Sequence, residues 1–460
     1  MTSLQQLADI AGARIVNPPS ADAPVTFVGL DSQNVEPGGL FAALPGTRVH
    51  GATYAFDSAA GAILTDEAGL AIIQQTADRR PVLVVEDVRA ILGHVAAEVY
   101  GHPSQSFMLL GVTGTSGKTT TTYMLEKGLT AAGCKVGLIG TTGTKIMGRD
   151  VATELTTPEA PMLQRLFAQM RDEGVTHVVM EVSSHALMLG RVTGSDFDVA
   201  AFTNLSQDHL DFHPTMEDYF QAKALFFDPA SELRAKRSVV CVDDEWGRRM
   251  AALAEAPVTV ATTGGADVTA ELVRIDDQGR QRIQLTADES HEFTLPMPGA
   301  FNVANAALAA AVAQTAGVEL EAFLHGLEQA AVPGRMERID EGQPFVAVVD
   351  YAHKPAAIGA VLATLRGQVE GRIGVAVGAD VHLGVAARGD QRADLGGHLL
   401  QAHRAVGAVF GVQFAAEVPV VAAVVDIGLR GGGVGLLDEA LDAGHALGQT
   451  VVGAGLDVAI

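Results

Sequence analysis

The chain has 460 residues and a mass of 47.7 kDa, and at about 150 residues per domain this length predicts roughly three domains. Hydrophobic residues make up 48% and charged residues 18%, which indicates a globular α/β protein and excludes disordered and fibrous classes. The formal net charge of −23 would repel nucleic-acid backbones and anionic membranes, so neither is expected as a partner.

The N-terminal residues lack the charged start, apolar core and small-residue cleavage site of a secretory signal. No run approaches the length of about 18 uncharged apolar residues that a membrane-spanning helix needs, so we expect no membrane insertion. The two cysteines, Cys134 and Cys241, are too few for a disulfide framework or a cysteine metal cluster. We therefore expect a cytoplasmic protein, and we take it to be a monomer.

Short apolar runs alternate with Pro- and Gly-bearing turns in residues 1–102, which predicts a small α/β domain. The runs are Val25–Leu30, Gly39–Leu44, Ala62–Leu64 and Pro81–Val85. A linker is expected at 102–104. From residue 107 onward the pattern changes to strand, glycine-rich turn and helix, and further strand and helix pairs follow, which predicts a parallel α/β sheet. A helix is predicted at 300–316, and a further strand at 345–352.

The strongest local motif follows the strand predicted at 107–112. It comprises Gly114, Thr115, Ser116, Gly117, Lys118, Thr119 and Thr120. The glycines let backbone N–H groups close around phosphates, Lys118 neutralises the β and γ oxygens, and a following hydroxyl can hold Mg²⁺. Val112 stands where the ordinary motif has glycine, and a glycine turn with a chance lysine is the alternative interpretation. We predict a nucleotide phosphate site.

Three later positions are candidates for the same site. Glu181 ends a strand predicted at 176–182, where a nucleotide-bound Mg²⁺ would lie, although helix capping or ion pairing explains it equally well. His209 belongs to an ionisable cluster after the strand predicted at 199–205, and a surface turn is its alternative. Spacing alone predicts that Lys223 is an exposed helical lysine.

Motifs along most of the chain resemble the Mur ligases of bacterial cell-wall synthesis, and within that family the tripeptide synthetases. They are GTSGKTT (114–120), TTP (156–158), EVSSHAL (181–187), TNLSQDHLDFH (203–213), DYFQAK (218–223), GAFNVANA (299–306), PGRMER (333–338) and VVDYAHKP (348–355). The resemblance runs from about Leu30 to Pro355, and the motifs occur in the family's order.

The resemblance implies an ATP-dependent ligase that adds a diamino acid to UDP-MurNAc-L-Ala-D-Glu through an acyl phosphate, with ATP and Mg²⁺. It also implies a three-domain α/β architecture. The domains are a UDP-sugar-binding domain at 1–102, a P-loop ATPase domain at 103–331 and a Rossmann-like ligase domain at 332–460. A hinge is expected near residues 332–335.

The family's functional positions imply roles for specific residues here. The catalytic set is Lys118, Lys223, His209 and Glu181. The implied metal ligands are Thr119, Glu181, His209 and Lys223, the last as a carbamate (N6-carboxylysine). ATP would contact the glycine-rich turn and Asn302, Arg335, Asp350 and His353. The UDP-MurNAc-dipeptide would contact Leu30, Ser32, Thr47, Arg48, Val49, Thr156, Thr157, Ser184 and Arg191.

The resemblance ends where the composition changes. Gly, Ala and Val supply 18, 17 and 16 of the 90 residues 371–460, and the last lysine of the chain is Lys354. This stretch contains no Lys, Ser, Asn, Tyr, Trp, Met or Cys, and it lacks the family motifs that contact the diamino acid. We expect either an Ala- and Val-rich domain or a shift of the reading frame near Gly378.

Three other functions remain open from the sequence. The chain could be an inactive or truncated Mur ligase paralogue that binds only nucleotide. It could be another Mur ligase or a folylpolyglutamate synthetase-like enzyme, although the segments at 30–51 and 181–187 favour the tripeptide synthetases. An ordinary P-loop NTPase switch is the last alternative. The identity of the third amino acid stays open between meso-diaminopimelate, lysine and ornithine.

Overall fold

The computed structural model describes residues 2–20, 24–276, 279–339, 346–352, 355–367, 373–377 and 421–425. The chain divides into two compact units. The larger comprises Met1–Pro296 and Ala300–Ala330, and the smaller comprises Met297–Gly299 and Ala331–Ile460.

The first hundred residues of the larger unit form an α/β layer. Its strands are β1 (Thr2–Ser3), β2 (Arg14–Val16), β3 (Pro24–Val25), β4 (Val28–Gly29), β5 (Leu40–Ala42), β6 (Ala62–Thr65) and β7 (Val82–Val84). Its helices are α1 (Leu4–Ala11), α2 (Glu67–Gln74) and α3 (Val88–Val99), with a 3₁₀ turn at Gly51–Tyr54. Within the described residues the main sheet has the order β2-β7-β6-β5-β4 and is parallel except at β2. The α/β character predicted for this region is confirmed.

A larger sheet follows a 3₁₀ turn at Pro103–Ser106. Its strands are β8 (Met108–Thr113), β9 (Val136–Gly140), β10 (Gly143–Ile146), β11 (Arg149–Val151), β12 (His177–Glu181), β13 (Val199–Phe202), β14 (Arg237–Cys241), β15 (Val258–Ala261), β16 (Val268–Ile275), β17 (Gln281–Thr286) and β18 (Ser290–Leu295). Its helices are α4 (Lys118–Ala131), α5 (Ala160–Asp172), α6 (Ser184–Met188), α7 (Met216–Ala224), α8 (Glu245–Leu253), α9 (Ala300–Thr315) and α10 (Leu320–Leu327).

The strand order of this sheet brings three predicted motifs to one edge. In the described residues it is β11-β10-β9-β12-β8-β13-β14-β15-β16-β17-β18, parallel from β9 through β16. Strand β8 lies between β12 and β13, so the carboxyl ends of these three strands are adjacent. The glycine-rich turn, Glu181 and the segment after β13 therefore start from neighbouring points, where ligands bind in open α/β sheets.

The helices around this sheet begin at polar caps and bury apolar faces. The Ser183, Thr215 and Asp244 side chains accept the first free backbone N–H groups of α6, α7 and α8. A buried aromatic and aliphatic cluster that includes Phe167, Phe202 and Phe226 fills the space between the sheet and these helices. No helix within the described part of the chain is long and apolar enough to span a membrane.

The smaller unit is described in part. It contains β19 (Glu337–Ile339), β20 (Val346–Asp350), α11 (Pro355–Arg366), β21 (Ile373–Val377) and β22 (Val421–Val425). In the described residues these strands pair in the order β19-β20-β22-β21, with every pairing antiparallel. The strand predicted at 345–352 is confirmed as β20. A small core that includes Met336, Val348 and Leu365 packs beneath α11.

Candidate functional site

The glycine-rich turn connects β8 to α4, as the sequence predicts. Its two glycines take left-handed conformations, with φ of 144° at Gly114 and 88° at Gly117. A Cβ at Gly114 would collide with the Thr203 hydroxyl, and one at Gly117 would collide with the Asn305 side-chain oxygen. Both glycines are therefore required by conformation and by close approach. Lys118 Nζ donates to the carbonyls of Gly114 and Thr115 at 2.9 and 3.0 Å.

Residues 203–206 anchor this turn from the side of β13. The Thr115 N–H donates to the Asn204 carbonyl at 2.9 Å, and the Ser116 N–H donates to Asn204 Oδ1 at 3.0 Å. In return, the Thr203 hydroxyl and the Asn204 amide donate to the Ser116 carbonyl at 2.7 and 3.1 Å. The Thr115 hydroxyl also accepts from the Ser206 N–H at 3.0 Å. The motif TNLS therefore shapes the turn.

Glu181 lies beside the same turn at the end of β12, where it is 1% exposed. Its Oε1 accepts from the Thr119 hydroxyl at 2.9 Å and from the Thr141 N–H at 2.9 Å. Its Oε2 accepts from the Thr141 hydroxyl at 3.1 Å. The structure thus brings Thr119 and Glu181 together, and among the described residues the hydrogen bonds of this carboxylate come from Thr119 and Thr141.

Lys223 lies on α7 and is 1% exposed, so the expectation of an exposed helical lysine from spacing alone is wrong. Sequence spacing on α7 could not reveal that this face packs against the glycine-rich turn. The Lys223 Nζ donates to the Gly114 carbonyl at 3.0 Å and lies 4.7 Å from the centre of the Tyr219 ring. Burial raises the pKa of Tyr219, whose hydroxyl is a hydrogen-bond partner of Thr115.

His209 lies in an aromatic and imidazole cluster beside Tyr219. Its Nε2 is 3.2 Å from Asp208 Oδ2, and its ring centre is 5.0 Å from that of His185. Burial, and secondarily the charge of Arg191, holds the pKa of His185 below its usual value. Among the residues that the structure describes, no three His, Cys, Asp or Glu side chains form a metal-binding group. Two of the four implied metal ligands, Thr119 and Lys223, are of other residue types, so the implied set stays a prediction.

Four of the residues implied to hold the dipeptide lie next to Glu181. The Thr157 hydroxyl donates to the Glu181 carbonyl at 2.8 Å, and the Thr156 hydroxyl is 3.1 Å from that of Thr141. Ser184 is 1% exposed, and its hydroxyl is 3.0 Å from His213 Nε2. Arg191 Nη1 donates to the Thr157 carbonyl at 3.4 Å. These positions therefore lie close to Glu181 and the glycine-rich turn (below also called the phosphate-type turn).

The positions implied to bind uridine lie in the first domain. Leu30 and Ser32 are half-buried after β4. The loop of Thr47, Arg48 and Val49 after β5 is exposed. Asn302 lies on α9, is 1% exposed, and accepts a hydrogen bond from the Asn305 amide at 3.2 Å.

Three of the remaining implied ATP contacts belong to the smaller unit. Asp350 is buried, and its two oxygens accept from the N–H groups of Met336 and Ala352, each at 2.8 Å. Burial raises the pKa of this carboxyl. The Arg335 guanidinium lies 4.7 Å from the centre of the Tyr351 ring. His353 lies outside the described residues.

Sequence reasoning missed several residues that build this region. Thr141, Thr203, Asn204 and Asn305 hold the candidate residues in place, and Glu159 forms ion pairs with two arginines. Asn204 could have been found, because it lies at the carboxyl end of a predicted strand, where ligands bind in open α/β sheets. Glu159 carries no such signal, since its partners lie far from it in sequence.

Models of three Mur ligase domains match the chain in order. The Mur ligase family catalytic domain matches residues 24–100, the Mur ligase middle domain matches 112–313, and the Mur ligase glutamate ligase domain matches 334–424. The glycine-rich turn, Glu181, His209, Lys223 and Asn302 all fall within the middle-domain match.

Curated relatives of this chain agree with the domain matches, because they too are ligases of this family. The UDP-N-acetylmuramoyl-L-alanyl-D-glutamate–2,6-diaminopimelate ligase of Corynebacterium glutamicum is 60% identical over 384 residues, covering 81% of this chain and 74% of the relative. Its counterpart in Streptomyces coelicolor is 46% identical over 385 residues, covering 82% and 74%. A solved structure of a ligase with the same name aligns with a TM-score of 0.64 at 30% identity, covering 80% of this chain and 75% of the other. The motif resemblance and the three-domain α/β fold are thereby confirmed, and this chain belongs to the Mur ligase family.

Proposed function

We propose that this chain is an ATP-dependent ligase that joins 2,6-diaminopimelate to the D-glutamate γ-carboxylate of UDP-MurNAc-L-Ala-D-Glu, in the cytoplasm. The observation that carries the proposal is the adjacency of two sets of residues. The phosphate-type turn, with Lys118 and Thr119, adjoins Glu181. The residues that match the dipeptide-binding positions lie next to Glu181, and they are Thr156, Thr157, Ser184 and Arg191. The relatives' names supply the choice of 2,6-diaminopimelate among diamino acids.

The reaction requires two anions to meet, and the chain's cations and dipoles oppose their repulsion. A γ-carboxylate oxygen attacks the γ-phosphorus of ATP, and ADP leaves with the electrons of the broken P–O bond. The amine nitrogen of the diamino acid then attacks the acyl carbon, loses a proton, and the tetrahedral intermediate expels phosphate. We assign Lys118 and the N-terminus of α4 to stabilising the transferred phosphoryl group.

The donor chemistry around Glu181 suits Mg²⁺. A carboxylate and a hydroxyl are the hard oxygen ligands that this ion prefers, and Glu181 and Thr119 present both, 2.9 Å apart and buried. When bound, Mg²⁺ would offset phosphate charge. Glu181 and Thr119 would hold it, and the Thr141 hydroxyl and N–H fix the carboxylate in place.

Lys223 fits a different role from a charged surface lysine. Its Nζ is buried against the Gly114 carbonyl and the Tyr219 ring, beside the glycine-rich turn. A neutral amine can add CO₂ and release a proton, which yields a carbamate. We assign that modification to Lys223, with His209 as its neighbour across Tyr219.

The first test is ligation itself. Purified protein with ATP, Mg²⁺, UDP-MurNAc-L-Ala-D-Glu and 2,6-diaminopimelate should release phosphate and form the tripeptide product. A Lys118→Ala variant should lose at least about a hundredfold in turnover, because one cation that stabilises transferred charge is gone. Lys127→Ala is the matched control, since Lys127 lies on the same helix, is exposed, and pairs with neighbouring Glu126.

Each outcome of the ligation assay indicates a different function. Phosphate release and product that require all four components support the ligase. Hydrolysis of ATP without the UDP-sugar would indicate a P-loop switch instead. Full turnover by Lys118→Ala would contradict the phosphate-site assignment while leaving ligation intact. Incorporation of glutamate onto a folate would indicate a folylpolyglutamate synthetase-like enzyme.

A second function has its own supporting observation. Residues 371–460 lack the family motifs that contact the diamino acid and contain no lysine. We therefore keep a nucleotide-binding, non-ligating Mur paralogue as the alternative. It predicts binding of ATP and of the UDP-dipeptide without phosphate release that depends on the diamino acid.

A further inference from the structure

Glu159 begins helix α5 but does not cap it. It occupies the N-cap position with φ −62° and ψ 149°, and its side chain makes no capping hydrogen bond. Glutamate is also not one of the short polar residues that usually fill this position. Its carboxylate is therefore directed to another task.

That task is visible in two ion pairs. Glu159 Oε1 lies 2.8 Å from Arg191 Nε, and Oε2 lies 3.2 Å from Arg89 Nη1. The Glu159, Arg191 and Arg89 side chains are 24%, 17% and 36% exposed. Because these pairs are largely withdrawn from water, they hold geometry better than exposed surface pairs do.

The two ion pairs of Glu159 connect two parts of the larger unit. Arg89 belongs to α3 of the first domain, and it also donates to the Leu189 carbonyl at 3.4 Å. One turn later on α3, a Cβ at Gly93 would collide with the Thr193 carbonyl. Helix α3 and residues 189–194 therefore approach at backbone contact, with Arg191 between the two points.

Arg191 keeps binding capacity while held in this way. Its Nη1 donates to the Thr157 carbonyl, its Nε faces Glu159, and 17% of its side chain stays exposed. Two guanidinium groups share one carboxylate, so the triad carries one net positive charge. An anionic group can therefore be attracted to Arg191 without displacing Glu159.

We propose that Glu159 is a positioning residue that fixes Arg191 for an anionic group of the UDP-MurNAc-dipeptide, held from the other side by Arg89. This inference rests on the proposed function for the identity of the ligand. It adds a residue outside the motifs, and it makes the first domain part of the dipeptide site.

Binding measurements test the proposal independently of turnover. Calorimetry with UDP-MurNAc-L-Ala-D-Glu and, separately, with ATP should be run on the wild-type chain, Glu159→Asp and Glu159→Gln. Both variants should weaken UDP-dipeptide binding about tenfold, or about 1.4 kcal/mol, and leave the Kd for ATP unchanged. Asp keeps the charge but is too short to reach both guanidinium groups, whereas Gln keeps the length but loses the charge.

The sign of the change distinguishes positioning from simple charge neutralisation. If Glu159 only cancels positive charge, Glu159→Gln should bind the anionic ligand more tightly and Glu159→Asp should match the wild type, and either result overturns the proposal. Glu173→Gln is the matched control, because Glu173 ends the same helix and pairs with exposed Arg149. It should bind both ligands as the wild type does.

A second variant protects the test against misfolding. Arg89→Ala removes a half-exposed partner, so it should keep the wild-type melting temperature and weaken UDP-dipeptide binding in the same direction by a smaller factor. Unchanged binding would overturn the role of Arg89. If the wild-type chain binds neither ligand, both the proposed function and this inference fail. If it binds the UDP-dipeptide but does not turn over, only the ligase function fails.

Discussion

The surroundings of Lys223 differ from those of an ordinary surface lysine. A lysine at 1% exposure is unusual, because burying an ammonium costs several kcal/mol unless it is paired or modified. Its contacts include the Gly114 carbonyl, the Thr113 hydroxyl and the face of the Tyr219 ring. A carbamate at this position would convert a buried cation into an oxygen ligand beside the phosphate-type turn.

The carbamate assignment predicts chemical rescue. Lys223→Ala should abolish ligation, and added short carboxylates such as acetate or propionate should restore part of it, because they can occupy the vacated volume and supply the lost oxygens. The measurement is phosphate release as a function of carboxylate concentration. Lys236→Ala, which removes an exposed lysine paired with Asp198, is the control and should need no rescue. An inactive variant that no carboxylate revives would contradict the assignment.

Some residues at this site can be predicted from the sequence, and others cannot. Lys118 and Glu181 lie in short motifs at strand ends and Thr157 lies in the TTP motif, so local pattern and family resemblance identify them. The burial of Lys223 and the ion pairs of Glu159 depend on elements distant in sequence. No spacing rule contains that information, because it arises only when α7 packs on the turn and α3 packs on residues 189–194.

At the scale of elements, helices α4 and α10 meet through glycines. A Cβ at Gly128 of α4 would overlap the Phe323 ring, which is fully buried. On the facing helix, a Cβ at Gly326 would lie 2.7 Å from the Ala131 Cβ. Helix α4 carries the phosphate-type turn at its N-terminus, so this close packing also fixes the direction of its axis.

Gly128→Ala should therefore destabilise the larger unit by about 2 kcal/mol, because the overpacked methyl group outweighs the gain in helix propensity. Urea unfolding followed by far-UV circular dichroism measures the change. Gly359→Ala on α11 is the control with the opposite expected sign, since open space surrounds that position and alanine should stabilise its helix by about 1 kcal/mol. Equal effects of the two substitutions would contradict the packing argument.

The elements themselves were predicted unevenly. The predicted strands at 107–112 and 176–182 and the helix at 300–316 correspond to β8, β12 and α9, because long apolar or Ala-rich runs determine them locally. The antiparallel strands β16 to β18 were not foreseen. Their signal was nevertheless present, since Gln281, Ile283 and Leu285 alternate with more exposed neighbours and a Gly-bearing turn precedes them.

At the scale of the whole molecule, the chain joins a well-marked ligase portion to a stretch of different composition. Codons that begin with G encode Gly, Ala, Val, Asp and Glu, so a shifted frame in a GC-rich gene would produce such a stretch. Residues 371–460 hold 5 Arg and 9 Asp or Glu, which is −4 of the net charge of −23, so most of the acidity belongs to the ligase portion.

Resequencing the gene around codon 378 and translating all three frames tests this account. We expect another frame to contain the Asp-Arg-Asp and Asp-Asn-Pro-Arg motifs that the family resemblance implies. A repaired chain should then form the tripeptide product faster than the present chain does. Absence of these motifs from every frame would contradict the frameshift and favour a divergent C-terminal domain.

The anchoring of the glycine-rich turn by residues 203–206 also bears on the thermodynamics of nucleotide binding. The amides of Thr115 and Ser116 and the hydroxyl of Thr115 already bond to Asn204 and Ser206, so strand β13 and its loop give the turn its shape. Binding to a preorganised loop costs less conformational entropy than binding that must first order the loop. We therefore expect affinity for a nucleotide phosphate at this turn to depend partly on a segment that need not touch the nucleotide.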